Sequence, residues 1–144
     1  MDTMVIATII ATVISTGVAT FISMFLNRKR ERERFDLQLE SIMAYSIEYP
    51  YLGSRVFAEK WEPFLIENDE RYQRYEIYCA IIFNFLYDVC EWKKYNPKKI
   101  EEYIGIKYWL RKHEKCWKNP SSSYINTDIY GEKFSNLVKT YISP

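Results

Sequence analysis

The first apolar stretch of the chain runs without a charged residue from Met4 to Leu26, over 23 residues. A helix of that length rises roughly 34 Å, enough to cross a hydrocarbon core of about 30 Å with some tilt. The pattern therefore predicts an N-terminal transmembrane helix, residues 1–27. A signal peptide fits less well, because the residues before the stretch include no basic side chain and the stretch is too long.

Small and hydroxylated residues recur every fourth position within this stretch and form two adjacent stripes along the helix. In lipid, such stripes let helix backbones approach closely and bond across the interface. We therefore expect the helix to hold a homo-oligomer together. The alternative is a simple anchor whose hydroxyls bond back to their own helix. The packing positions are Ala7, Ala11, Ser15, Ala19, Ser23, Thr8, Thr12 and Thr16.

Residues 28–34 carry five basic and two acidic side chains and form a basic juxtamembrane linker. By the positive-inside rule this flank stays in the cytoplasm. The expected location is the bacterial inner membrane, crossed once, with the N-terminus outside. Anionic lipid head groups are natural partners for the same charges. Three cysteines, an odd number without a framework spacing, agree with a reducing cytosol.

Residues 35–144 show the 3-4 spacing of amphipathic helices and no strand pattern. They predict an all-α cytoplasmic bundle of four to five helices. The longest helix, about 69–95, is apolar on two faces and therefore buried. It is too short to be a second span, because only Ile77 to Tyr87 lacks charge. Asn96 and Pro97 predict the start of a further helix that reaches Trp117.

Known catalytic and metal-binding patterns are missing from the sequence. The single histidine, His113, lies on an apolar seam and reads as a hydrogen-bonded core residue. Cys79 and Cys90 are about 16 Å apart on one helix, too far to share a zinc ion with His113 and Cys116. The four glycines are scattered and form no phosphate loop. We therefore expect no enzyme, metal or cofactor, although an enzyme of unrecognised type stays an alternative.

One basic stripe stands out from the near-neutral domain, which has fifteen basic and sixteen acidic side chains. Duplex nucleic acid is not an expected partner for such a balance. The stripe forms a local anion site beside an aromatic ring, which suits a cyclic oligonucleotide or another polyanion. The alternatives are a solvated face or a surface near anionic lipid. The ligand-binding residues are Lys107, Tyr108, Arg111, Lys115 and Lys118.

The layout resembles that of small bacterial proteins with one N-terminal span and an aromatic-rich helical cytoplasmic domain. This resemblance rests on several aromatic segments. They are the turn at residues 49–52, Trp61, the aromatic central helix and the run from Trp109 to Trp117, followed by Tyr130 and Phe134. Some proteins of this kind look like membrane effectors of antiviral defence, including CRISPR-associated ones that answer cyclic oligoadenylates. The resemblance implies a ligand-sensing, membrane-perturbing effector. The alternative is a membrane-anchored adaptor that recruits a cytosolic protein.

Overall fold

The computed structural model describes residues 3–120 and 125–142, and for residues 3–11 and 13 it describes the helix backbone alone. Within these ranges the chain forms seven α-helices, three short 3-10 segments and no strand. The predicted all-α class is therefore confirmed, whereas the predicted number of four to five helices in the bundle is too low, since α2 to α7 all lie in it. The helices are α1 (Thr3–Glu48), α2 (Arg55–Glu59), α3 (Glu70–Trp92), α4 (Pro97–Tyr103), α5 (Ile106–Lys112), α6 (Glu114–Lys118) and α7 (Glu132–Ile142).

The chain divides into two units, residues 1–37 and residues 38–144. The described part of the first unit lies within α1, which no proline interrupts before Pro50. Its charged part is lined by exposed ion pairs one turn apart, Lys29 with Glu33 and Arg32 with Asp36, each 3.8 Å long. Such pairs contribute only about 0.3–0.5 kcal/mol each.

The predicted transmembrane span is not supported. Among the described residues, no helix has both the length and the apolar character that crossing a bilayer requires. The predicted single-pass location in the bacterial inner membrane is therefore wrong.

The second unit is arranged around α3, which buries ten residues. Local sequence signals set where its helices begin. Ser54, Asp69 and Asn96 each accept a hydrogen bond from a backbone N–H of the following first turn, as N-cap residues do. At the other end of α3, Lys94 and Tyr95 adopt left-handed backbone angles, and the Tyr95 N–H donates to the Cys90 carbonyl. This turns the chain away from α3 before α4.

The predicted helix from Pro97 to Trp117 is divided into α4, α5 and α6. Ile104 is extended, which ends α4, and Gly105 precedes α5. A second break falls at His113, between α5 and α6. Its backbone leaves the helical region at the position where its side chain is fully buried. Both interruptions change which side chains of this region share a face.

Candidate functional site

The predicted basic stripe is divided between α5, which carries Lys107, Tyr108 and Arg111, and α6, which carries Lys115 and Lys118. Each cation contacts a group of the protein itself. Lys107 lies 5.2 Å from the ring centre of Tyr141. Lys115 donates to Glu62 over 3.3 Å, and Lys118 pairs with Glu114. These exposed ion pairs offset part of the positive charge that the sequence assigned to the stripe.

Arg111 has a structural contact. Its Nε donates to the Tyr141 carbonyl oxygen over 3.0 Å. Tyr141 lies in the last turn of α7, where backbone carbonyls have no partner within the helix. A cation at this end also interacts favourably with the helix dipole. Arg111 therefore caps α7, whatever else it binds.

Tyr108 is an exposed aromatic residue of the stripe. Its side chain is 63% exposed, and the Lys112 ammonium lies 5.6 Å from its ring centre. An exposed ring with a cation on it provides a surface on which a planar ligand can stack.

The predicted packing positions of the N-terminal segment lie along α1. The side chains of Ala7, Thr8 and Ala11 are outside the described part of the structure, whereas those of Thr12, Ser15, Thr16, Ala19 and Ser23 are exposed. Ser15 and Thr16 donate to the Thr12 carbonyl, over 3.0 and 2.8 Å. Thr20 donates to the Thr16 carbonyl over 2.8 Å. Because these hydroxyls bond within their own helix, this surface is less polar than its sequence suggests.

A second group of polar side chains is buried in the bundle. Tyr75 and Cys79 lie one turn apart on α3, while His113 precedes α6 and Cys116 lies within it. We call these four residues the buried polar cluster. All four residues are fully buried, with 0% of their surface exposed. The Tyr75 hydroxyl lies 2.8 Å from His113 Nδ1, and the Cys79 sulfur lies 3.5 Å from the same nitrogen. Nδ1 is thus the centre of the cluster.

The pKa values of the two cysteines of the cluster are shifted in opposite directions. Burial by itself raises the pKa of Cys79, but hydrogen bonds with Cys116, His113 and Tyr75 and the charge of His113 outweigh it and lower the pKa to about 6. Burial raises the pKa of Cys116, and the hydrogen bond and charge of Cys79 raise it further. The cluster therefore favours a thiolate at Cys79 beside a protonated Cys116.

Aromatic rings enclose the cluster. Trp61 lies 5.7 Å from Tyr75, and Tyr78 and Trp109 lie 6.0 and 6.5 Å from His113, measured between ring centres. No hydrogen-bond partner for His113 Nε2 is found among the described residues. A polar nitrogen in such surroundings costs free energy, which marks the cluster as more than inert packing.

The sequence points to three members of this cluster, Cys79, His113 and Cys116, only as part of a zinc site that would include Cys90, and it does not point to Tyr75. His113 is a hydrogen-bonded core residue, as predicted. Cys79, His113 and Cys116 come together, whereas Cys90 lies apart, about three turns further along α3. Across the described ranges, no three His, Cys, Asp or Glu side chains are arranged to hold a metal ion. The available signal was the spacing of Tyr75 and Cys79 at i, i+4 and of His113 and Cys116 at i, i+3.

Comparison with known proteins adds no assignment, because no protein-family model, curated protein or solved structure matches this chain. The site must be interpreted from its own geometry.

Proposed function

We propose that this protein is a non-enzymatic adaptor that self-associates through residues 12–26 of α1 and so brings together copies of its helical bundle. The observation that carries the proposal is the exposed apolar surface of that segment. Seven large apolar side chains between Ile14 and Leu26 are exposed in a single copy. A contiguous surface of this kind is typical of an interaction site.

The partner that we propose for this segment is the same segment of a second copy of the chain. One side of the helix carries an open groove of about 490 Å³, lined by Thr12, Thr16, Gly17, Thr20, Phe21 and Met24. Phe21 and Phe25 project from the same segment as large exposed side chains. A helix that carries both a groove and ridges is complementary to itself.

Two features support a non-enzymatic role. The side chains best suited to chemistry, those of the buried polar cluster, are fully buried and enclosed by aromatic rings, which keeps large substrates away. Three exposed cations of α5 and α6, Arg111, Lys115 and Lys118, are in an ion pair or act as a helix cap.

The mass of the full chain in solution tests the proposal. Sedimentation velocity should show an oligomer that dissociates on dilution. Gly17→Leu should weaken it, because the new side chain fills the groove. The helix itself tolerates this change, since a Cβ at position 17 meets nothing within 4 Å and leucine favours helices more than glycine does.

A matched pair of variants locates the interface. Phe21 and Phe64 are 72% and 65% exposed, but only Phe21 lies in the N-terminal segment. Phe21→Ser should therefore weaken association, and Phe64→Ser should not. A chain that is monomeric at all concentrations, or an equal effect of both substitutions, contradicts the proposal.

Recognition of an anionic ligand by the basic stripe is a second candidate function, favoured by the exposed Tyr108 and its neighbouring cations. Lys107→Glu with Tyr108→Ala should then abolish binding of cyclic oligoadenylates, measured by calorimetry. Lys107 is a better target than Arg111, because Arg111 caps α7. Lys99→Glu, on α4, is the control. Absence of binding by the unmodified chain rules this candidate out.

A further inference from the structure

The buried polar cluster contains two thiols from distant parts of the chain. Cys79 lies in the middle of α3, and Cys116 lies in α6, 37 positions later. Cys116 follows His113 by three positions, and His113 Nδ1 lies 3.5 Å from the Cys79 sulfur. The two thiols also shift each other's pKa. Neither cysteine is in a disulfide. Two free thiols within one buried cluster meet the first condition for an intramolecular disulfide.

The groups around the thiols supply the second condition, an activated sulfur. His113 Nδ1 lies 3.5 Å from the Cys79 sulfur and is oriented by the Tyr75 hydroxyl at 2.8 Å. An imidazole beside a thiol stabilises the thiolate, which is the nucleophilic form of cysteine. Cys116 keeps its proton, because its burial and the neighbouring charges of Cys79 and Glu76 disfavour a second anion. The pair is therefore asymmetric, with one nucleophile and one proton-bearing partner.

Cys90 provides an internal comparison. It lies on the same helix as Cys79 and is equally buried, at 0% exposure. Burial and the charge of Glu91 raise its pKa to about 12. A buried thiol without an imidazole beside it thus stays protonated, and the activation of Cys79 comes from the side chains around it.

We propose that Cys79 and Cys116 are a redox-active pair that a small hydroperoxide converts into a disulfide, with Cys79 oxidised first. The Cys79 thiolate attacks one oxygen of hydrogen peroxide, a sulfur–oxygen bond forms, the oxygen–oxygen bond breaks and hydroxide leaves. The Cys116 sulfur then attacks the sulfenic acid at Cys79. A sulfur–sulfur bond forms, and the departing hydroxyl takes the Cys116 proton and leaves as water. Two electrons pass from the sulfurs to the peroxide.

The size of the oxidant decides its class. A fully buried site enclosed by Trp61, Tyr78 and Trp109 admits only small molecules during brief local openings of the bundle. Hydrogen peroxide meets this requirement, whereas a protein disulfide does not. The resulting bond would join α3 to α6 covalently. This inference is independent of self-association through α1.

The experiment is peptide mapping of the full chain after treatment with hydrogen peroxide, with free thiols alkylated under denaturing conditions. We expect a Cys79–Cys116 peptide pair that is two hydrogens lighter than its parts and that dithiothreitol separates. It should form at least tenfold faster than any oxidised product at Cys90. In Cys116→Ala, the resolving thiol is missing, so Cys79 should instead gain one or two oxygen atoms. Circular dichroism establishes that each variant is folded.

Three results would overturn the proposal. They are equal oxidation of Cys90 and Cys79 in the folded chain, any disulfide that includes Cys90, and persistence of Cys79 as a free thiol at peroxide doses that oxidise the methionines. A His113→Gln variant separates activation from packing. It should slow disulfide formation at least tenfold even if its helix content is unchanged, and an unchanged rate would show that His113 doesn't activate Cys79.

Discussion

The N-terminal segment of α1 and the helix α3 are both rich in apolar residues, yet they place them in opposite ways. Between Ile14 and Leu26 seven large apolar side chains are exposed, whereas α3 buries ten of its residues. In α3 the apolar positions follow two neighbouring stripes that other helices cover. In the α1 segment small and hydroxylated residues alternate with large ones. Apolar content alone therefore does not tell whether a helix stabilises its own chain or contacts another one.

The largest expected effect is the loss of an aromatic side chain from α3. Phe83 is fully buried, with its ring centre 5.0 Å from that of Trp117. Phe83→Ala should lower the free energy of unfolding by about 3–5 kcal/mol, because it removes buried area and leaves a cavity. Urea denaturation followed by tryptophan fluorescence measures this, since all four tryptophans lie in the bundle. A loss below about 1 kcal/mol would mean that α3 is not the centre of the core.

A smaller loss is expected for Tyr75→Phe, which keeps the ring and removes the hydroxyl. His113 Nδ1 then loses its 2.8 Å hydrogen bond inside the core. The expected cost is about 1–3 kcal/mol, the range for leaving a buried polar atom unsatisfied. Tyr108→Phe on the surface of α5 is the matched control and should change stability by less than about 0.5 kcal/mol. Equal effects of the two substitutions would show that the hydroxyl of Tyr75 is not engaged.

The pH dependence of stability should carry the signature of Cys79. Its pKa is about 6 in the folded chain against an ordinary value of 9.0. Between pH 6 and pH 9 the Cys79 thiol is protonated in the unfolded chain and ionised in the folded chain. The free energy of unfolding should therefore rise with pH over this range. One proton gives a slope of at most about 1.4 kcal/mol per pH unit. Denaturation in a reducing buffer at three pH values measures it, and Cys79→Ser should flatten the curve.

The smallest effect is expected in the α1 segment. Phe25 is exposed, so Phe25→Ala should change the stability of a single copy by no more than about 0.5 kcal/mol. The measurement belongs at concentrations below those at which the chain associates, where the contact between copies does not contribute. A loss as large as that of Phe83→Ala would mean that this face is already covered within one chain, and the comparison between the two helices would fail.

The helical class and the buried centre of the bundle could be predicted from the sequence, because 3-4 spacing, N-cap residues and prolines act locally. Asp69 and Asn96 mark the starts of α3 and α4 in both the pattern and the structure. The breaks at Gly105 and His113 could not be predicted, because nearby residues keep a helical spacing and tertiary packing decides the backbone there. The predicted span relied on length and lack of charge alone.

The candidate sites also divide into features that the sequence reveals and contacts that it does not. Lys107, Arg111 and Lys115 could be found as a stripe, but a sequence does not reveal that Arg111 meets the end of α7 or that Lys115 meets Glu62. The buried polar cluster joins positions 38 residues apart, so no local pattern contains it. Contacts of that separation come from the fold rather than from spacing.

The side chains of the buried polar cluster depend on one another, and this dependence limits which substitutions the chain tolerates at Tyr75, Cys79, His113 and Cys116. Changing one member leaves polar atoms of the others buried and unmatched, whereas replacing all four by well-packed apolar residues removes the need for partners. We therefore expect that descendants lacking the histidine will have lost both thiols and the phenol too. Cys90, outside the group, is free to drift to alanine or valine. We therefore expect the four residues to be kept or replaced as a group.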